Sequence, residues 1–213
     1  MKIETGYLPN LGIVQSKLDS NIIEKLWNLV EKAKKDNINI KESLAGNITS
    51  SLMLDLKESS FLNASIVDLL DEYKKNLGTP FKGLRAVEVN TKFNLDSLWV
   101  NFQYQNEFNP SHNHSGGFSF VIWLKIPTEF EQQSKLKIAR ESSDKTKISN
   151  FVLIYTDILG QIRECVYKMG SDKEGVILFF PASLKHQVYP FYGSDAVRVS
   201  VSGNIGVIQE DLK

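Results

Sequence analysis

The chain has 213 residues, which suits one domain that buries its own hydrophobic core. Its 25 basic and 25 acidic residues cancel and form no Lys/Arg stripe, so we expect no nucleic-acid partner. Cys165 is the only cysteine, which excludes a disulfide within the chain and fits a reducing compartment. Without an apolar signal core or an apolar run of roughly 18 residues, the sequence predicts a cytoplasmic protein without a membrane partner.

Two helices are predicted in the first part of the chain. Apolar residues recur at helical spacing over residues 21–35, and Ser20 before them is of a type that caps helix N-termini. The same periodicity predicts a helix at residues 62–77, which Gly78 and the following Thr-Pro pair end. We expect residues 1–82 to form a helical segment that packs on the outside of the remaining chain.

From residue 83 onward the sequence predicts short β-strands. Segments rich in Val, Ile and aromatic residues are separated by Gly, Asn, Asp and Pro, with no useful helical pattern between them. This arrangement is typical of an antiparallel sandwich or barrel, so the fold class is mainly β with an α-helical N-terminal extension. The polar segment 129–150 is predicted to be an exposed hairpin or flexible insertion. The predicted strands are residues 84–90, 98–105, 118–126, 136–139, 151–156, 163–168, 176–180, 185–190 and 197–204.

All three histidines of the chain lie in motifs that could bind a metal ion. His112 and His114 are separated by one residue, so in an extended segment both side chains point to the same face. His186 could supply a third ligand from a facing strand. Three ligands on one face of an octahedron leave positions for a bidentate cosubstrate and dioxygen. The pattern equally fits a zinc site, and surface or structural histidines give the same sequence.

A strand with two distinct faces follows the last histidine. Residues 197–202 alternate strictly between valine and polar residues, so Arg198, Ser200 and Ser202 share one face. In a barrel mouth, this face would offer a guanidinium and hydroxyls to an anionic ligand, and arginine binds a carboxylate with two parallel hydrogen bonds. An edge strand with a solvated arginine has the same pattern.

Three stretches in this order resemble the Fe(II)- and 2-oxoglutarate-dependent oxygenases. Within that superfamily they are most similar to the phage and bacterial prolyl 4-hydroxylase-like enzymes. The stretches are residues 98–104 leading to 109–114, residues 175–181 followed by His186, and residues 198–204. The resemblance covers about half of the chain. It implies a double-stranded β-helix, or jelly roll, as the core at residues 83–213.

The resemblance also implies roles for the metal-binding residues. His112 matches the first histidine of the family's His-x-Asp/Glu motif, and His186 matches the distal histidine. His114 stands where the family has an acidic ligand, so the predicted iron ligands are His112, His114 and His186. An acidic group from elsewhere, such as Glu107, is an alternative to His114.

Three residues resemble cosubstrate positions of the family, and Asn101 is a further candidate from the same strand as Tyr104. Arg198 would bind the distal carboxylate of 2-oxoglutarate with the help of Ser200, and Tyr104 and Asn101 would lie nearby. The implied activity is hydroxylation of an unactivated C–H bond with Fe(II), 2-oxoglutarate and O2. The substrate would be a peptide, with a prolyl residue as its target, or a small molecule.

Two other classes of protein fit the same residues. A cupin-type enzyme with three histidines would bind one metal ion without using 2-oxoglutarate. A non-catalytic jelly-roll binding module would leave the histidines apart or exposed. In any of these proteins the N-terminal helices could form a homodimer contact.

Overall fold

The computed structural model describes residues 12–43, 45–78 and 92–208. Both predicted helices are present, as α1 (Ser20–Asp36) and α2 (Asn63–Leu77). The predicted cap at Ser20 is wrong, because the helix includes Ser20 and the preceding Asp19 stands at the cap position without a capping side-chain hydrogen bond. No helix among the described residues combines the length and apolar character needed to cross a bilayer.

The described residues form two antiparallel sheets, which confirms the mainly β prediction. The strands are β1 (Val14–Lys17), β2 (Ser50–Met53), β3 (Lys92–Gln103), β4 (Asn109–His112), β5 (Phe118–Lys125), β6 (Phe151–Thr156), β7 (Ile162–Tyr167), β8 (Val176–Pro181), β9 (Lys185–Val188) and β10 (Arg198–Ile208). One sheet has the order β1-β8-β5-β10-β3-β2, and the other has the order β4-β9-β6-β7. Apolar side chains of β5 and β8 pack against those of β6, so the two sheets enclose a common core.

Some predicted strand positions need correction. The predicted strand at residues 136–139 is wrong, because this segment enters a short helix, α4 (Lys137–Arg140). Leu136 and Ala139 turn inward while Ile138 is exposed, which is helical spacing rather than the alternation of a strand. The structure adds β1, β2 and β4, which were not predicted. The predicted strand at 84–90 lies outside the described residues.

The segment 129–150 was predicted to be an exposed hairpin or flexible insertion; most of residues 131–146 are exposed, but the hairpin is wrong. It contains a helical turn, α3 (Phe130–Gln133), in addition to α4. The Gln133 side chain is buried and exchanges two hydrogen bonds with the backbone of Tyr192. Ser149 and Asn150 at the end of the segment are completely buried. The buried polar side chains at the end of the segment are therefore satisfied by internal hydrogen bonds, while most of residues 131–146 face water.

Helix α2 lies against the six-stranded sheet through an aromatic cluster. The Tyr73 ring meets Phe118 edge-on with 5.0 Å between ring centroids, and Phe118 stacks on Phe179 at 4.8 Å. All three rings are buried, and the same core includes apolar residues of α1. The division of the chain at residues 82 and 83 stays a prediction, while β1 and β2 from its N-terminal side belong to this sheet.

The aromatic cluster predicts a stability effect. Phe179→Ala removes a fully buried ring from the contact between α2 and the sheet, and we expect a loss of about 3–5 kcal/mol in the free energy of unfolding. Phe108→Ala is the matched control, because that ring is 39% exposed, and about 1 kcal/mol or less is expected there. Denaturant unfolding of the metal-free variants measures both values, and equal losses would contradict this account of the core.

Candidate metal and cosubstrate site

The fold brings the three histidines of the chain together. His112 on β4 and His186 on β9 are direct partners in the antiparallel pair, with ring centroids 4.3 Å apart. The His114 ring lies 5.0 Å from that of His186 and 5.1 Å from that of His112. One potential ligand atom from each residue lies within 4.8 Å of the others. The sequence prediction that these side chains converge therefore agrees with the geometry.

Backbone contacts orient two of the imidazoles. His112 Nδ1 donates to the carbonyl of Pro110 at 2.7 Å, and His186 Nδ1 donates to the carbonyl of Leu184 at 3.0 Å. Because a carbonyl can only accept, the proton is on Nδ1 and the lone pair of Nε2 is left for a metal ion. The backbone N–H of His114 donates to the carbonyl of Ala182 at 2.8 Å, which fixes the segment after β4 beside β8.

Burial keeps two of these rings neutral. The His186 ring lies against Phe151 at 5.3 Å and Phe180 at 5.0 Å, and desolvation together with the nearby His112 lowers the pKa of His186 to about 3. Burial, again with a contribution from His112, lowers the pKa of His114 to about 4. Both imidazoles are therefore uncharged at neutral pH, which is the form that coordinates metals.

The donor set fits one transition-metal ion. Two nitrogens bound at about 2.1 Å in neighbouring positions of an octahedron lie about 3 Å apart, so the rings have to approach by less than about 2 Å. No carboxylate joins the histidine cluster among the residues that the structure describes. Glu107, the alternative acidic ligand, instead accepts hydrogen bonds from the backbone N–H of Thr49 and of Tyr104.

Arg198 is buried in the same region without an acidic partner. Its side chain is 2% exposed, and Nη1 donates to Gln103 Oε1 at 3.2 Å. Nη2 donates to both the carbonyl and the hydroxyl oxygen of Ser149 at 2.8 Å, while Nε has no partner. Burial lowers the pKa of Arg198 to about 9, so the guanidinium stays charged at neutral pH. Within the described residues all these acceptors are neutral, which leaves the charge available to an anionic ligand.

Sequence analysis missed Ser149 and Gln103, the two residues that accept hydrogen bonds from Arg198. Ser149 lies in the segment predicted to be an exposed insertion, has φ 64°, and holds Arg198 through two atoms. Its backbone N–H donates to the carbonyl of Pro190 at 2.9 Å, and its hydroxyl lies 3.1 Å from that of Thr128. All of these partners of Ser149 are distant in the sequence, so no local pattern indicated that it contacts Arg198.

One cavity of about 220 Å³ connects the histidines with Arg198. Ser200 and Asn101 line this cavity, and Asn101 accepts a hydrogen bond from Ser51 at 2.8 Å. Tyr104 follows β3 with 44% of its surface exposed and is not part of the lining, so its position gives no support to a contact with the cosubstrate. The aromatic residues Phe120 and Trp123 also line the cavity.

Two sheets around a cavity with three imidazoles and a guanidinium are the arrangement expected of a mononuclear non-haem metal enzyme. Residues 97–204 match the family model described as "Putative 2OG-Fe(II) oxygenase". The match covers just over half of the chain, which therefore belongs to this family of 2-oxoglutarate- and Fe(II)-dependent oxygenases. The predicted Fe(II), 2-oxoglutarate and dioxygen are confirmed at this level. No curated protein matches the chain in sequence.

Solved structures share the fold at low sequence identity. The chain is similar to SnoN, a non-heme alpha ketoglutarate dependent epimerase from nogalamycin biosynthesis, with a TM-score of 0.57, 11% identity, and coverage of 91% of this chain and 75% of that one. It is similar to the viral collagen prolyl hydroxylase vCPH from Paramecium bursaria Chlorella virus-1 in its 2OG complex, with a TM-score of 0.52, 11% identity, and coverage of 91% and 94%.

A third similar structure contains a peptide. It is a prolyl hydroxylase from Trichoplax adhaerens in complex with a hypoxia inducible factor oxygen degradation domain peptide fragment. Its TM-score is 0.52 and its identity is 10%, and the similarity covers 93% of this chain and 84% of that one. Together these structures confirm the double-stranded β-helix as the fold of this chain.

The lowered histidine pKa values predict a pH dependence of the metal-free protein. In the unfolded chain His186 takes up a proton near pH 6.5, whereas in the folded protein its pKa is about 3. Between these values the unfolded state binds more protons, so stability falls as the pH is lowered from 6.5. We expect the metal-free Tm to fall over this range, and to fall less in His186→Asn. If the Tm of the parent and of His186→Asn fell equally as the pH is lowered, this would contradict the burial of a neutral imidazole at His186.

Proposed function

We propose that this oxygenase hydroxylates an unactivated C–H bond, and that a prolyl residue in a peptide is its target. The observation that carries the proposal is a single cavity lined by three imidazoles and by a buried guanidinium that has no described carboxylate partner. A metal-binding face and an anion-binding group in one cavity are what a metal-chelating dicarboxylate requires.

His112, His114 and His186 would hold the iron. The two carbonyl contacts of His112 and His186 through Nδ1 direct Nε2 of both rings towards the metal position, so these ligands are oriented before the metal binds. When bound, Fe(II) and 2-oxoglutarate supply the oxidation of the substrate C–H bond by dioxygen. Trp99, whose ring centroid is 5.7 Å from that of His114, and the aromatic rings beside His186 exclude water from this side of the site.

Arg198 would bind the distal carboxylate of 2-oxoglutarate. Ser149 and Gln103 fix the guanidinium from one side, and the unpartnered Nε remains to donate to a ligand. Ser200 shares the strand face of Arg198 and would add a hydroxyl donor, and Asn101 is its partner across the β3–β10 pair. Arg198 is already desolvated and oriented. A carboxylate that binds to it therefore avoids much of the entropic cost of ordering a flexible arginine side chain.

The prolyl target is supported by the two prolyl hydroxylases of similar fold, one of which contains a bound peptide. The same fold also carries the epimerase reaction of SnoN, so substrate identity depends on the cavity rather than on the fold. A peptide bearing a prolyl residue is therefore the first substrate to assay, with hydroxylated product detected by mass spectrometry.

Arg198 is tested by the visible charge-transfer band that forms when Fe(II) and 2-oxoglutarate are added without oxygen. Arg198→Ala should raise the 2-oxoglutarate concentration that gives half of the maximal band intensity by about 10- to 100-fold, because a charged hydrogen-bonding partner is lost. The band should return at high 2-oxoglutarate. Arg140→Ala, on the exposed face of α4, is the matched control and should bind like the parent. Metal binding without any band would instead favour the three-histidine enzyme that does not use 2-oxoglutarate.

His186→Ala separates the metal site from the fold. We expect it to abolish turnover and to weaken Fe(II) binding strongly, because one of three ligands is lost. The metal-free variant should still unfold cooperatively, since the lost ring contacts Phe151 and Phe180 but the core beneath the helices is unchanged. Calorimetric unfolding of metal-free parent and variant measures this, and loss of the cooperative transition would show that His186 serves the fold instead.

A further inference from the structure

The described charged residues that line the cavity are all basic. Its described lining contains two permanently cationic side chains, Arg198 and Lys41, and no aspartate or glutamate. The whole chain has equal numbers of acidic and basic residues, so this imbalance is local. The three imidazoles do not reduce it, because neutral histidine ligands carry no charge to offset a metal ion.

The imbalance remains after the cofactors are counted. A ferrous ion brings two positive charges, and Arg198 brings a third. The dianion 2-oxoglutarate offsets two of these, which leaves one positive charge in the cavity. A carboxylate ligand at position 114 would remove this charge, but the chain has His114 there. An uncompensated charge in such a cavity attracts an anion much more strongly than it would in water.

Lys41 adds a second attraction at the cavity. It begins a short 3-10 turn, Lys41–Ser43, and its backbone N–H donates to Asn39 Oδ1 at 2.9 Å, which orients the start of that turn. The side chain is exposed and lines the cavity, and among the described residues it has no carboxylate partner. The carboxylate of Glu107 accepts hydrogen bonds from the backbone N–H groups of Thr49 and Tyr104 and is not part of the cavity lining.

We propose that the substrate carries a carboxylate, which Lys41 binds and which the excess positive charge of the three-histidine metal site attracts. The inference rests on the proposed function, since it counts the charges of Fe(II) and 2-oxoglutarate. The carboxylate could be that of a free or C-terminal proline-like acid or that of an acidic side chain next to the target residue in a peptide. Both sources offer the same chemistry to Lys41.

The test compares acids with their amides on the anaerobic complex of protein, Fe(II) and 2-oxoglutarate. The probes are N-acetyl-L-proline and N-acetyl-L-prolinamide for the first source, and blocked Pro-Glu and Pro-Gln dipeptides for the second. Binding is measured by calorimetry and by perturbation of the charge-transfer band, so turnover is not needed. We expect at least one acid to bind about tenfold or more tightly than its amide, and the pair that discriminates identifies the source.

Two variants assign the preference to its causes. Lys41→Gln should weaken binding of the preferred acid by about fivefold, as for a partly exposed ion pair, and should leave the amide unchanged. Lys75→Gln, an exposed lysine of α2 outside the cavity lining, is the matched control and should change neither. His114→Asp should reduce the ratio of acid to amide affinity while the band still forms, because its carboxylate offsets one charge.

The outcomes separate this inference from the proposed function. A normal charge-transfer band with equal binding of acids and amides, or with no binding of either, overturns the inference and leaves the proposed function intact. Bleaching of the band by an acid also overturns it, because the acid then replaces 2-oxoglutarate instead of binding beside it. Absence of the band in the parent protein removes the proposed function itself.

Discussion

The structure depends on a guanidinium that is buried without a described acidic partner. Arg198 is 2% exposed, and its hydrogen bonds go to neutral oxygens of Gln103 and Ser149. A charge in that position is costly for the folded chain on its own, and a bound carboxylate offsets the cost. The burial of Arg198 beside a cluster of metal-binding imidazoles is therefore a property expected of a binding site and not of a structural core.

The parts of the fold set by local periodicity were predictable from the sequence. The apolar spacing over residues 21–35 and 62–77 gives α1 and α2, because a helix has to turn one face to the sheet. The alternation of residues 197–202 gives the start of β10 and turns Arg198 and Ser200 to the cavity. The pattern also predicted that His112 and His114 share a face when the chain is extended, whereas His186 was assigned to the site through the family resemblance.

The parts set by distant partners were not predictable in this way. β1 and β2 have four residues each and owe their conformation to pairing with β8 and β3. Ser149 reaches Arg198 from a segment whose polarity suggested exposure, whereas its hydrogen bonds are made inside the protein. Short strands and buried polar networks depend on contacts across the fold, which no local window of sequence contains.

The account as a whole rests on three imidazoles that bind one ion beside Arg198. A crystal structure with Mn(II), which is redox-stable, and an inert 2-oxoglutarate analogue tests this most directly. We predict that His112, His114 and His186 each bind the ion through Nε2, and that the distal carboxylate of the analogue pairs with Arg198. An ion held by fewer than three of these imidazoles, or an analogue whose carboxylate lies away from Arg198, would contradict the account.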